Sequence, residues 1–316
     1  MKILRILKIA LIVFTVVFAF LSIIPYLVYL PHAKVINEKP FENSSFAIID
    51  NIRIHYRVWL PSEVKTNQKT DKKILLVHGM AGSTFSFRNN VEALVKSGYK
   101  VVAVDLPGFG YSDRSGGINH SQKNRADLLW RLLGEIDGGS IKGKWTLLGH
   151  SMGAGAITEM AFMKEENVES LIYVDGAVLT GGGNSNFALK YPPVQRWAEV
   201  IGRYFLLNEK TINNLLISAY ARPVTSAEVE GYLTPLKIAG TEGAFIDMTL
   251  TSDTIDIEKL RGISVPVIGI WGEKDTWVPK SDGEELKKII PNFELHIIKG
   301  AGHCPMETHA AEFNEL

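Results

Sequence analysis

Hydrophobic and polar positions divide this chain into three regimes. The first is a run over residues 9–30 without a single charge, 22 residues in all. As a helix rising 1.5 Å per residue it is long enough to cross about 30 Å of hydrocarbon. We read residues 1–33 as a membrane anchor and residues 34–45 as a polar tether. Lys2, Arg5 and Lys8 precede the run, Lys34 and Lys39 follow it, and Glu38 is the only acid before Glu42. That positive bias predicts a single pass with a cytoplasmic N-terminus and an extracytoplasmic remainder. The rival reading is a secreted chain with a cleaved signal, because Val17-Phe18-Ala19 resembles a small-residue cleavage site. The apolar run then continues for eleven more residues, which cleaved signals usually lack. Pro25 is tolerable in a spanning helix if the carbonyl it frees finds another donor.

The second regime is period-two alternation interleaved with helical stretches. Residues 46–49 and 52–59 alternate around Asp50-Asn51, a hairpin pattern. After the polar stretch 63–73, short apolar runs at 74–77, 101–104, 144–148 and 170–174 read as buried strands. Helical segments at 88–97, 124–136 and 152–164 separate them. The pattern resumes with strands at 265–270 and 293–298, a helix at 281–290 and a last short helix from Ala310. Strand alternating with helix predicts an α/β fold with a mainly parallel sheet covered on both faces, built from residues 46–176 and 264–316.

The third regime, residues 177–263, contains no convincing buried strand. Helical stretches at 195–207, 211–220, 226–239 and 241–250 predict a helical insertion. Pro192-Pro193 and Ser226 with Glu230 serve as helix-start signals.

Composition narrows the chemistry. The 316 residues are 46% hydrophobic, enough for a large core. Lys plus Arg and Asp plus Glu both number 34, which gives no electrostatic reason for a nucleic-acid partner. The single cysteine, Cys304, excludes an intrachain disulfide framework and multi-cysteine metal sites. Residues 138–144 nearly spell a phosphate-binding loop, but Trp145 stands where Ser or Thr is needed and a strand follows instead of preceding. No metal-ligand signature appears, so neither a metal nor a cofactor is expected.

The candidate chemistry sits at Gly149-His150-Ser151-Met152-Gly153, between a strand and a helix. A serine on such a turn has its hydroxyl pushed out of the sheet. Gly149 and Gly153 leave room where side chains would clash, and Gly155 is expected to let the helix pack closely on a strand. A serine hydroxyl needs a base, and the base needs a group that fixes its tautomer. His303, in the glycine-flanked loop after the last strand, is the expected base. Asp275, directly after the strand at 265–270, is the expected acid, with Asp175 as its competitor. The backbone amides of Met152 and Met80 are expected to face the oxyanion. His78, Gly79, His150 and Trp197 are placed in the substrate pocket. Asp105 reads as a turn residue and His55 as a packed one.

These residues resemble the α/β-hydrolase fold superfamily. The resemblance runs from about Phe46 to the end, through His78-Gly79, Asp105-Leu106-Pro107-Gly108-Phe109-Gly110-Tyr111-Ser112, Gly149-His150-Ser151-Met152-Gly153, Trp271-Gly272-Glu273-Lys274-Asp275, and Gly302-His303-Cys304-Pro305 with Glu307. It implies that residues 177–263 form a cap over the active site. Ser151 argues against the branches that use an aspartate nucleophile, the epoxide hydrolases and dehalogenases. His309 stands where the family usually has a proline. The expected activity is a serine hydrolase acting on a small-molecule or lipid-like ester. Phe187, Tyr191, Trp197, Tyr204, Phe205, Leu206 and Leu207 in the insertion suit an apolar acyl group. The alternatives are a carbon–carbon bond hydrolase, amidase or perhydrolase with the same residues, and a non-catalytic binding protein on the same fold. Oligomeric state stays open.

Overall fold

The computed structural model describes residues 2–32, 39–61, 72–179 and 187–316. Parts of the expected tether and of the polar stretch 63–73, and the beginning of the insertion at 180–186, lie outside the described residues. Helix α1, Lys2–Leu27, is continuous through Pro25 and long and apolar enough to cross a membrane or to act as a signal sequence.

The hairpin strands are β1, Ser44–Ile49, and β2, Ile52–Trp59. Asp50 and Asn51 between them have φ of 50° and 61°, as a two-residue hairpin turn requires. Strand β1 begins two residues earlier than expected because Ser44 is buried and hydrogen-bonded to β2. The remaining strands are β3 Lys73–Val77, β4 Lys100–Val104, β5 Trp145–His150, β6 Val168–Val174, β7 Val267–Gly272 and β8 Phe293–Ile298. They form one sheet in the order β1-β2-β4-β3-β5-β6-β7-β8. β2 pairs antiparallel with both β1 and β4, and all the other neighbours pair parallel.

Period-two burial assigns the faces. Leu75, Val77, Val102 and Val104 face one core, shared with α3, Gln122–Ile136, and α4, Met152–Lys164. Ile74, Leu76, Val101 and Ala103 face a second core, shared with α2, Val91–Lys96.

Between β6 and β7 the chain leaves the sheet as a helical excursion. Helix α5, Pro192–Ile201, carries its prolines in the first turn and continues through one π turn, Gly202–Leu206. Then come α6 Glu209–Tyr220, α7 Ser226–Leu236, α8 Thr241–Thr251 and the unexpected α9 Ile257–Leu260. Thr225, rather than Ser226, caps α7. Its hydroxyl accepts the Glu228 amide while the Glu228 carboxylate accepts the Thr225 amide, a reciprocal pair that satisfies two end donors. After β7 the chain forms α10 Lys280–Ile289, and after β8 two short helices, α11 Pro305–Thr308 and α12 Ala310–Phe313.

A buried hub ties the hairpin to the parallel sheet. The Asp105 carboxylate accepts the amides of Thr84 at 2.6 Å and Tyr111 at 2.8 Å and contacts His55 Nδ1 at 2.7 Å. The other ring nitrogen of His55 meets Ser44 Oγ at 2.8 Å. Burial works to raise the Asp105 pKa, but the His55 hydrogen bond and neighbouring positive potential hold it below the usual value. Asp105→Ala strands these donors in the interior, where each costs roughly 1–3 kcal/mol. We expect a loss of at least ~3 kcal/mol in urea unfolding. A loss below ~1 kcal/mol would show that the hub does not hold the hairpin in place.

Candidate active site

Ser151 stands between β5 and α4 with φ 50° and ψ −117°, a conformation that a residue with a side chain adopts only under constraint. The constraint is close packing. A Cβ on Gly153 would lie 2.4 Å from the Val77 carbonyl, so α4 starts directly against β3. Gly155 has a different neighbour from the one expected. Its missing side chain makes room for Gln122 of α3, not for a strand.

The loop after β3 presses on the same turn. A Cβ on Gly79 would come within 2.8 Å of His150 Nδ1 and 3.0 Å of Ser151 Cβ. Gly79 thus brings the Met80 backbone beside the serine. The Met152 amide, first in α4, has no intrahelical acceptor. His78 is fully buried and holds this loop in shape. Its Nδ1 donates to the Gly79 carbonyl at 2.7 Å and its Nε2 accepts the Leu106 amide at 2.9 Å. It does not line the cavity described below.

His303 follows β8 on a loop packed against α6, its amide donating to the Ala219 carbonyl at 2.6 Å. Its Nδ1 hydrogen-bonds Asp275 Oδ2 at 2.7 Å. Asp275 Oδ1 accepts the amides of Trp277 at 2.7 Å and Val278 at 3.1 Å, so both carboxylate oxygens are engaged. Burial alone would raise the Asp275 pKa; the His303 contact and the backbone donors outweigh it and hold the group below its ordinary value. His150 donates from Nε2 to the His303 carbonyl at 2.8 Å and fixes the loop from the other side. In this conformation no hydrogen bond joins Ser151 Oγ to His303. Such contacts often tighten only when substrate is bound.

Asp175 stands behind Asp275. Its Oδ1 accepts the Gly272 amide at 2.9 Å. Burial first, then the Asp275 charge, push its carboxyl well above the usual range, so it is the neutral member of the pair. Asp175, Asp275 and His303 also form the only group among the described residues whose potential metal ligands lie within 4.8 Å of one another. The hydrogen bond between Asp275 and the ring nitrogen already accounts for that proximity.

Ser151, His150 and His303 open into one cavity of about 630 Å³. The excursion forms most of its wall, with Leu206, Leu207, Leu216 and Ile246 among the lining. Trp197 does not line it. The indole points to the other side of α5 and donates to the Leu21 carbonyl of α1 at 2.9 Å. Nor do Phe187, Tyr191, Tyr204 or Phe205 line it; all four are exposed. Several cavity residues were absent from the sequence reading. Trp277 stacks on the His303 ring with centroids 5.2 Å apart and reaches Ser218 of α6. Tyr232 and Ser86 meet at 3.0 Å. Behind them the buried Glu307 carboxylate accepts the hydroxyls of Tyr220, at 2.6 Å, and Tyr232, and pairs with Arg88. This cluster ties α6 and α7 of the excursion to α11.

Comparison with known proteins agrees with this architecture. A sequence model of the alpha/beta hydrolase family matches residues 74–316. The chain belongs to the alpha/beta hydrolase family. A 2-hydroxy-6-oxononadienedioate/2-hydroxy-6-oxononatrienedioate hydrolase of Klebsiella pneumoniae is 29% identical over 255 residues, covering 77% of this chain and 84% of that one. Among solved structures, a thermophilic esterase from Thermogutta terrifontis superposes with a TM-score of 0.67 at 21% identity, covering 86% of this chain and 95% of that one. A bacterial membrane phospholipase A superposes with a TM-score of 0.68 at 21% identity, covering 100% of this chain and 96% of that one. At these identities the two structures establish the shared fold.

Burial keeps several histidines neutral: His150 is pushed down to about 3 and His120 to about 4, in both cases chiefly by desolvation. An unfolded histidine takes up its proton near pH 6.5. Between that pH and 4 the unfolded state therefore binds the extra proton, and the stability due to neutral His120, fully present above 6.5, is lost as pH falls. His120→Leu removes this loss. The stability of wild type relative to the variant should fall by up to ~1.4 kcal/mol per pH unit from 6.5 down to about 4 and level off below that. A gap independent of pH would show that His120 titrates alike in both states.

Proposed function

We propose that this protein is a membrane-anchored serine hydrolase that cleaves carboxylic esters of an apolar acyl group. The observation that carries this reading is the cavity above Ser151. Apart from the histidines, Glu242 is its one ionisable side chain of appreciable charge, and no Lys or Arg lines it. A large apolar space ending at a serine and an acid-paired histidine suits an acyl chain whose carbonyl rests on the serine.

In this reading Ser151 Oγ attacks the ester carbonyl and His303 Nε2 takes its proton. Asp275 holds the ring through Nδ1 and stabilises the imidazolium, and the amides of Met80 and Met152 receive the oxyanion. His303 then returns the proton to the leaving alcohol, and water repeats the cycle on the acyl-enzyme. The helical excursion acts as the cap, with the remainder from 46–176 and 264–316 as the catalytic core. Helix α1 serves as an uncleaved anchor. Lys2, Arg5 and Lys8 keep its start in the cytoplasm, which puts the catalytic unit outside. The whole-chain likeness to a membrane phospholipase A supports a lipid-like substrate.

The second reading is carbon–carbon bond hydrolysis by the same residues, favoured by the names of curated relatives such as the Klebsiella pneumoniae enzyme. Their named substrates are dicarboxylates. A dianion entering a low-dielectric cavity needs cations to replace its hydration, and no Lys or Arg lines this cavity.

Ser151→Ala should abolish fluorophosphonate labelling and lower ester turnover by at least ~10³-fold, and Asp275→Asn by ~10²- to 10⁴-fold. Along a p-nitrophenyl ester series, kcat/KM should rise up to about fourfold per methylene until the cavity fills, following ~0.8 kcal/mol per buried methylene. A flat series would remove the apolar acyl pocket. Labelling without ester turnover, joined to turnover of a vinylogous diketone, would put the carbon–carbon reading first.

A further inference from the structure

Helices α1 and α5 run side by side through a set of specific contacts. Phe18 stacks on Tyr191 with centroids 6.0 Å apart, and Ser22 meets the Tyr191 hydroxyl at 3.2 Å. Pro25 has no amide hydrogen, so the Leu21 carbonyl four residues earlier lacks its helical donor. The Trp197 indole supplies that donor at 2.9 Å. Arg196 donates to the carbonyls of Pro25 at 3.3 Å and Val28 at 3.0 Å, and the Tyr204 hydroxyl to that of Tyr29 at 2.5 Å. A guanidinium at a helix C-terminus also meets its partial negative charge. The clasp therefore spans residues 18–29 of the anchor.

The same residues are needed for the membrane crossing. Lys8 is the last charge before the apolar run. A crossing of ~30 Å takes about 20 helical residues, which ends near residue 28. The stretch that completes the crossing is thus the stretch clasped by α5. Both demands are met only if α5 reaches into the leaflet.

We propose that the cap is itself seated in the lipid leaflet on the catalytic side, with Phe187 and Tyr191, just ahead of α5, among the acyl chains and Leu189 and Leu206 forming the lipid entrance to the cavity. This rests on the anchor reading of α1. The exposed surface fits a lipid partner. Phe187 is 83% and Phe205 68% exposed, a cost in water that a leaflet removes. Leu189, Leu206 and Leu215 all line the cavity, and Leu206 and Leu215 are exposed as well, so rim and interior share one apolar surface. Helix α10, by contrast, exposes Lys287, Lys288 and Glu285 and belongs in water.

The test uses the full chain in phosphatidylcholine vesicles. A polarity-sensitive fluorophore is attached at Phe187→Cys, Phe205→Cys or Lys287→Cys, with wild type, whose sole Cys304 is buried, as the labelling blank. Folding of each variant is checked by near-ultraviolet circular dichroism in detergent. Flotation with the vesicles after alkaline wash tests the anchor, and fluorophosphonate labelling tests the hydrolase, so each reading can fail by itself. We expect acyl-brominated lipid to quench the dye at 187 at least about twofold and leave the dye at 287 unchanged. A floating protein whose dye at 187 is quenched no more than at 287 overturns the proposal. So does quenching by headgroup-labelled lipid alone, which means surface contact. Shielding at 187 that grows with protein-to-lipid ratio, without quenching, assigns the face to a second copy and overturns it too. Failure to float removes the anchor and the proposal with it.

Discussion

The close approach of β3, β5 and α4 around Ser151 is the constraint from which the rest of the site follows. Holding a serine at φ 50° and ψ −117° costs on the order of 1–3 kcal/mol, which the surrounding packing must offset. Gly153 against the Val77 carbonyl and Gly79 against His150 make that packing possible. Together they set one hydroxyl and the Met80 and Met152 backbones at the carboxyl ends of parallel strands, where such sheets present ligand sites. His303 and Asp275 then arrive from the ends of β8 and β7, neighbours in the same sheet.

Access, not the presence of the three side chains, separates the candidate site from a look-alike. Ser44, His55 and Asp105 also line up as serine, histidine and aspartate, hydrogen-bonded throughout at 2.8 Å and 2.7 Å. All three are fully buried, and backbone amides occupy the carboxylate. That trio ties the hairpin to the sheet. Ser151 and His303 face a cavity, and the cavity wall is held over them by the Glu307 cluster and by Trp277 bridging to α6.

Much of the fold was legible because parallel strands buried on both faces produce short apolar runs that only a covered sheet explains. The residues at Ser151, Asp275 and His303 stood out because each lies on the connection that leaves the carboxyl end of a strand. The faces of the excursion were less legible. Aromatic content pointed to Trp197 and Tyr204 as pocket residues, but they face α1. The cavity stripe of α5 and the π turn that continues it is Ala198, Gly202 and Leu206, a spacing of four. That periodicity was present in the sequence, but no pattern of small residues says which side faces a substrate. The roles of Glu307 and Trp277 had no local signal, since their partners lie far away in the chain.

In the proposed reaction an acyl chain occupies the cavity while its carbonyl carbon is bonded to Ser151. The most direct measurement is a crystal structure of the protein after reaction with a long-chain alkyl fluorophosphonate. We expect phosphorus on Ser151 Oγ, the phosphoryl oxygen between the Met80 and Met152 amides, and the alkyl chain beside Leu216 and Ile246. A modified Ser151 with its chain lying outside the cavity, or a Ser151 left unmodified, would contradict it.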